Sequence, residues 1–60
     1  MYIGLVTYKK DIVESLIIEA ENADEAVEKL ADYVYKNYNK NNEGEFYSGL
    51  VIETKKLKKI

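Results

Sequence analysis

Residues 2–8 read Tyr2-Ile3-Gly4-Leu5-Val6-Thr7-Tyr8, YIGLVTY, and what covers the two sides of this stretch decides the fold. Its β-branched and aromatic residues suit a pleated, half-buried strand. Ile3, Leu5 and Thr7 alternate with Tyr2, Gly4, Val6 and Tyr8, so neither side is plainly made for water. A second run rich in Ile, Val and Leu occupies residues 13–20, and Lys9, Lys10 and Asp11 separate the two. This is the pattern of an antiparallel hairpin. Pairing Leu5 with Leu16 and Ile3 with Ile18 gathers aliphatic side chains on one face. The same register sets Tyr8 against Val13, Val6 against Ser15 and Gly4 against Ile17, with Lys9, Lys10, Asp11 and Ile12 as the loop.

The segment that follows is helical. Asn22 with Glu25 three residues later resembles a capping box, and acids crowd the first turn, where the helix dipole favours them. Ala23, Ala26, Val27, Leu30, Val34 and Asn37 share one side; Asp24, Glu25, Glu28, Asp32 and Lys36 share the other. Asn and Gly residues between Asn37 and Glu45 end the helix, and Phe46–Thr54 alternates as a third strand. A Lys-rich extension occupies residues 55–60. The order β-β-α-β, with a right-handed crossover, is closed most simply by inserting the first strand between the other two. The expected fold is a single α+β domain over residues 1–60: a three-stranded antiparallel sheet of order 2-1-3, one helix on one face, and YIGLVTY at the centre.

A single helix covers a single face. Its side is expected to hold Ile3, Leu5, Leu16, Ile18, Ala20, Phe46, Leu50 and Ile52. The other side then presents Tyr2, Val6, Tyr8, Val13, Ile17, Tyr47 and Val51, an apolar patch of the kind that marks an interaction site. Glu14 falls on the helix side close to the hairpin end and is expected to reach solvent.

Size sharpens the need for a partner. A 60-residue chain buries only about 60% of the surface it exposes unfolded, and small domains usually need a staple. Cysteine and histidine are both absent, which removes disulfides and Cys/His zinc sites together. Homodimerisation is the remaining staple.

Charge is segregated. Residues 11–32 carry eight acids (Asp11, Glu14, Glu19, Glu21, Asp24, Glu25, Glu28, Asp32) against Lys29, whereas four of the last eight residues are lysines. Asp24, Glu28 and Asp32 with the neighbouring Tyr35 form a candidate face for a protein target with a basic surface. As a metal site this run is a poor fit, because hard cations are usually wrapped by loops. No cofactor is implied. Serines and threonines have no histidine or cysteine beside them, so no catalytic residues stand out and the chain reads as non-enzymatic. A second reading, single-stranded nucleic-acid binding, would use sheet tyrosines for stacking and Lys9, Lys10, Lys55, Lys56, Lys58 and Lys59 for phosphates. The acidic balance and the absence of arginine weigh against it. There is no apolar run of about 20 residues and no basic-then-apolar leader, so a cytoplasmic protein without membrane contact is expected.

The junction Ile18-x-Ala20, Asn22, Glu25-Ala26, Leu30 resembles the strand-to-helix junction of short phage and mobile-element proteins such as the DpnD/PcfM-like group. The resemblance spans about residues 16–34. Small size, acidic character and Asn/Lys/Tyr/Ile-rich usage are also similar to small dimeric phage anti-defence inhibitors. It implies a protein that binds and blocks a host defence protein, and it assigns no individual functional residue.

Overall fold

The computed structural model describes residues 1–40 and 44–54; the Lys-rich extension over 55–60 lies outside the described residues. Strands β1 (Tyr2–Tyr8), β2 (Asp11–Ile18) and β3 (Tyr47–Glu53) form one antiparallel sheet of order β2-β1-β3. YIGLVTY is the central strand, as its composition requires. Helix α1 (Ala23–Val34) lies on one face and runs into a π-helical turn over Tyr35–Asn39.

The helix starts where the sequence places it. Asn22 is extended, and its Oδ1 accepts the Glu25 amide at 2.9 Å, which satisfies one of the free N–H groups of the first turn. Ala26, Leu30 and Val34 form the buried stripe. Val27 is exposed, and the partly buried Tyr33 packs against the core in its place, so the apolar face is rotated slightly from the one expected.

The register of the hairpin corrects the sequence reading. Tyr2 pairs with Ile18, Gly4 with Leu16 and Val6 with Glu14; after a bulge at Val13, Thr7 pairs with Ile12 and Tyr8 with Asp11. The loop therefore shrinks to Lys9 and Lys10. A one-residue slip moves a strand's whole side-chain set to the opposite face. Here β1 is turned over relative to the expectation, and β3 follows it through the pairs Val6 with Gly49 and Gly4 with Val51. The helix side holds Tyr2, Gly4, Val6 and Tyr8, together with Leu16 and Ile18 and with Tyr47, Gly49 and Val51. Tyr2, Val6, Tyr8, Tyr47 and Val51 are thus not on the open face. Val6 is fully buried and Tyr2 nearly so, Val13 is the unpaired bulge residue, and Ile17 alone stays open as expected, 75% exposed. Conversely, Ile3, Leu5, Leu50 and Ile52 leave the expected core for the open face, and Phe46 is exposed ahead of β3.

Two glycines explain why this face receives the helix. A Cβ at Gly4 would lie 2.6 Å from Ile18 Cδ1 and 3.1 Å from Leu30 Cδ1; one at Gly49 would lie 2.7 Å from Leu30 Cδ2. The Leu30 side chain therefore sits in a notch that only glycine leaves open, and the helix approaches the sheet closely there. Tight packing of Leu30 among Ile18, Val6 and Val34 is the centre of the small core.

Candidate functional site

Two features stand out once the faces are assigned: a sheet face that no described element covers, and a tyrosine and carboxylate cluster at one end of the helix side.

The open face consists of three cross-strand rows. Ile17, Ile3 and Ile52 form the first, Ser15, Leu5 and Leu50 the second, and Ile12, Thr7 and Ser48 the third. Six of these nine residues are aliphatic and none is charged. Ile12 and Leu50 are more than half exposed, and Ile17 is the most exposed of the six aliphatic residues. The rows contain no aromatic ring, so tyrosine stacking of bases has no platform on this face. The bulge at Val13 keeps Ile12 in the outer row after the register shift, which preserves the aliphatic character up to the hairpin end.

The cluster is built around Glu14. The pair Val6 with Glu14 directs this carboxylate to the helix side, where it is half-buried instead of extending into water as expected. Tyr38 donates its hydroxyl to Glu14 Oε1 at 2.6 Å, and the Tyr33 hydroxyl lies 3.0 and 2.9 Å from the two carboxylate oxygens. The hydrogen bond to Glu14, then burial, then the nearby negative charge raise both phenols above the usual 10.0, Tyr38 to about 12. Ring packing extends the cluster across the sheet: Tyr38 and Tyr47 are 4.7 Å apart, as are Tyr47 and Tyr8, with tilted planes. Asn39 completes it, accepting the Tyr47 amide at 2.8 Å and donating to the Tyr47 carbonyl at 3.0 Å, so its side chain pairs with β3 as a neighbouring strand would.

Chemically this is a fastening. Neutral phenols clamp a carboxylate and tie the end of the helix to β2. Among the described residues, no group of three or more His, Cys, Asp or Glu side chains is placed to hold a metal ion.

The acidic helix side is exposed as expected: Asp24, Glu28, Asp32 and Tyr35 all lie in solvent. Asp32 pairs with Lys36 at 3.1 Å and Glu25 with Lys29 at 3.3 Å, exposed contacts that contribute little to stability. The sequence pointed to this side but missed Glu14, Tyr33 and Tyr38 as a unit. No described helix is long and apolar enough to cross a membrane. No family model matches the chain, and neither a curated protein nor a solved structure matches it.

Proposed function

We propose that the chain is a non-enzymatic protein-binding module that pairs with a second copy through its open sheet face and engages a protein target elsewhere. The observation that carries this reading is the uncharged aliphatic face of Ile3, Leu5, Ile12, Ile17, Leu50 and Ile52 in a chain otherwise one-third charged. Two copies of net charge −2 can meet on such a face without opposing like charges, which is what a two-fold interface demands.

The flat footprint of three short strands is only about 14 by 23 Å, so the pair belongs among small, micromolar interfaces. The resemblance to short phage and mobile-element proteins makes a host defence protein in the cytoplasm the target class, and the acidic helix side suits a basic surface on it.

Sedimentation across a micromolar concentration series tests the assembly. The native chain should pass from 6.9 kDa toward twice that mass, and Leu5→Lys should remain monomeric at every concentration. A native chain that stays monomeric throughout rules out pairing by this face.

A further inference from the structure

Helix α1 is not centred on the sheet. Leu30 seats in the notch formed by Gly4 and Gly49, and Val34 also approaches Gly49, which draws the helix toward β1 and β3. Beside β2 this leaves a groove of about 450 Å³, lined by Leu16, Ile18 and Glu19 from the strand side and Lys29, Leu30 and Tyr33 from the helix. The bond between Tyr33 and Glu14 closes one end. At the other end Lys29 Nζ donates to the Glu19 carbonyl at 2.6 Å.

The strand that forms one wall is also a sheet edge. Order β2-β1-β3 leaves β2 with a neighbour on one side only among the described residues, where its outward N–H and C=O groups meet no other strand. The bulge at Val13 disrupts pairing near the turn, and the regular stretch is Glu14–Ile18. The other edge, β3, is partly occupied at its start by the Asn39 amide.

We infer that the free edge of β2 over Glu14–Ile18, with the groove beneath it, is an acceptor for an extended segment of a partner protein, added as a fourth strand. Alternate apolar side chains of that segment enter the groove against Leu16, Ile18 and Leu30. Charge selects one end. Glu19 and Glu21 lie beyond Ile18, where Lys29 is engaged by Glu25 and the Glu19 carbonyl, whereas toward the turn Asp11 and Glu14 are matched by Lys9 and Lys10. An apolar core of alternate residues with lysine or arginine at the end that meets Glu19 and Glu21 is the complementary ligand. This site is distinct from the open face and from the Asp24, Glu28 and Asp32 surface.

The test uses the full chain and a blocked heptapeptide, Lys-Val-Thr-Val-Thr-Val-Lys. Two N-methylated versions accompany it, one methylated at the valines and one at the threonines, and a fourth peptide has glutamate at both ends. Amide chemical shifts report the location. The parent peptide should bind saturably below millimolar concentration and move the amides of residues 14–19 and 29–33. One N-methylated version should bind at least tenfold more weakly, because in a strand alternate amides point to the same edge. The glutamate version should weaken comparably. Absence of saturable binding overturns the site, as do shifts centred on Ile3, Leu5 and Leu50 or on Asp24, Glu28 and Asp32, or equal binding by both methylated peptides. Shifts of residues 14–18 that depend on protein concentration alone would assign the edge to a second copy instead. The Leu5→Lys monomer should bind the peptide as the parent does, so failure of the dimer leaves this result readable.

Discussion

The two faces of the sheet are made from nearly the same kinds of residue and do opposite things. On the helix side, Tyr2, Gly4 and Val6 meet the helix and the core; on the open side, no described element beyond the sheet itself packs over Ile3, Leu5 and Thr7. Total hydrophobicity does not distinguish them, since the open face is the more aliphatic. Shape does: the helix goes to the face where glycine lets Leu30 approach and where tyrosine hydroxyls can reach Glu14. The lesson is that a core forms where a close fit is possible, and apolar content alone does not decide which face that is.

Substitutions in the notch should break the comparison most strongly. Leu30→Ala removes the side chain that fits both glycines and should cost about 2–5 kcal/mol, read from urea denaturation. Gly49→Val, which overfills the same space, should cost about 1–3 kcal/mol. On the open face, Leu5→Lys should lower stability only through lost association, so its denaturation midpoint should not vary with concentration while the native midpoint rises with it. An effect of Leu5→Lys as large as that of Leu30→Ala at low concentration would erase the distinction between the faces.

Alkaline titration gives an intermediate effect. Tyr38 titrates near 12 in the folded chain against 10.0 when free, and Tyr33 is shifted in the same direction. A folded-state value above the unfolded one means that the folded chain holds its proton more tightly. The contribution is therefore complete below pH 10 and is lost as pH rises through about 12. Denaturation midpoints across that range should fall more steeply for the native chain than for Tyr38→Phe. Parallel curves would remove the Tyr38 hydroxyl from the account.

The smallest effect belongs to the turn. Lys9 has φ 57, a left-handed conformation that costs a lysine about 1 kcal/mol and a glycine little. Lys9→Gly should stabilise the hairpin by several tenths of a kcal/mol, measured by thermal unfolding. A loss of stability would show that the lysine side chain, 5.4 Å from the Tyr8 ring centroid, contributes more than its backbone costs.

Much of this architecture was legible. The strands, the Asn22 cap, the helix and the order 2-1-3 followed from composition, spacing and connection rules. The parity of β1 was not, because both alternating sets in YIGLVTY are apolar and periodicity is silent between them. Gly4 and Gly49 carried the missing signal, since each shares parity with the face that the helix approaches. The two-residue turn was hidden because Lys9-Lys10 lacks the usual Asn-Gly or Asp-Gly chemistry. Glu14 could be placed on the helix side, but its partner Tyr38 comes from a π-helical turn that no spacing rule announced. Asp24, Glu28 and Asp32 were readable as an exposed acidic run, whereas the groove beside β2 depends on where the helix leans, which sequence alone does not encode locally.

The bulge at Val13 has a consequence for how this chain tolerates change. Between Glu14 and the turn it acts as a phase shifter: it assigns Ile12 to the outer row and Asp11 to the row of Tyr8. Deleting that one residue would bring Ile12 next to Glu14 and leave a regular ladder with the same pairs, Thr7 with Ile12 and Tyr8 with Asp11. Deleting Ile12 instead would let Val13 take its place opposite Thr7. The hairpin tip thus carries one residue of slack, and either loss leaves an aliphatic side chain in the outer row and the turn unchanged.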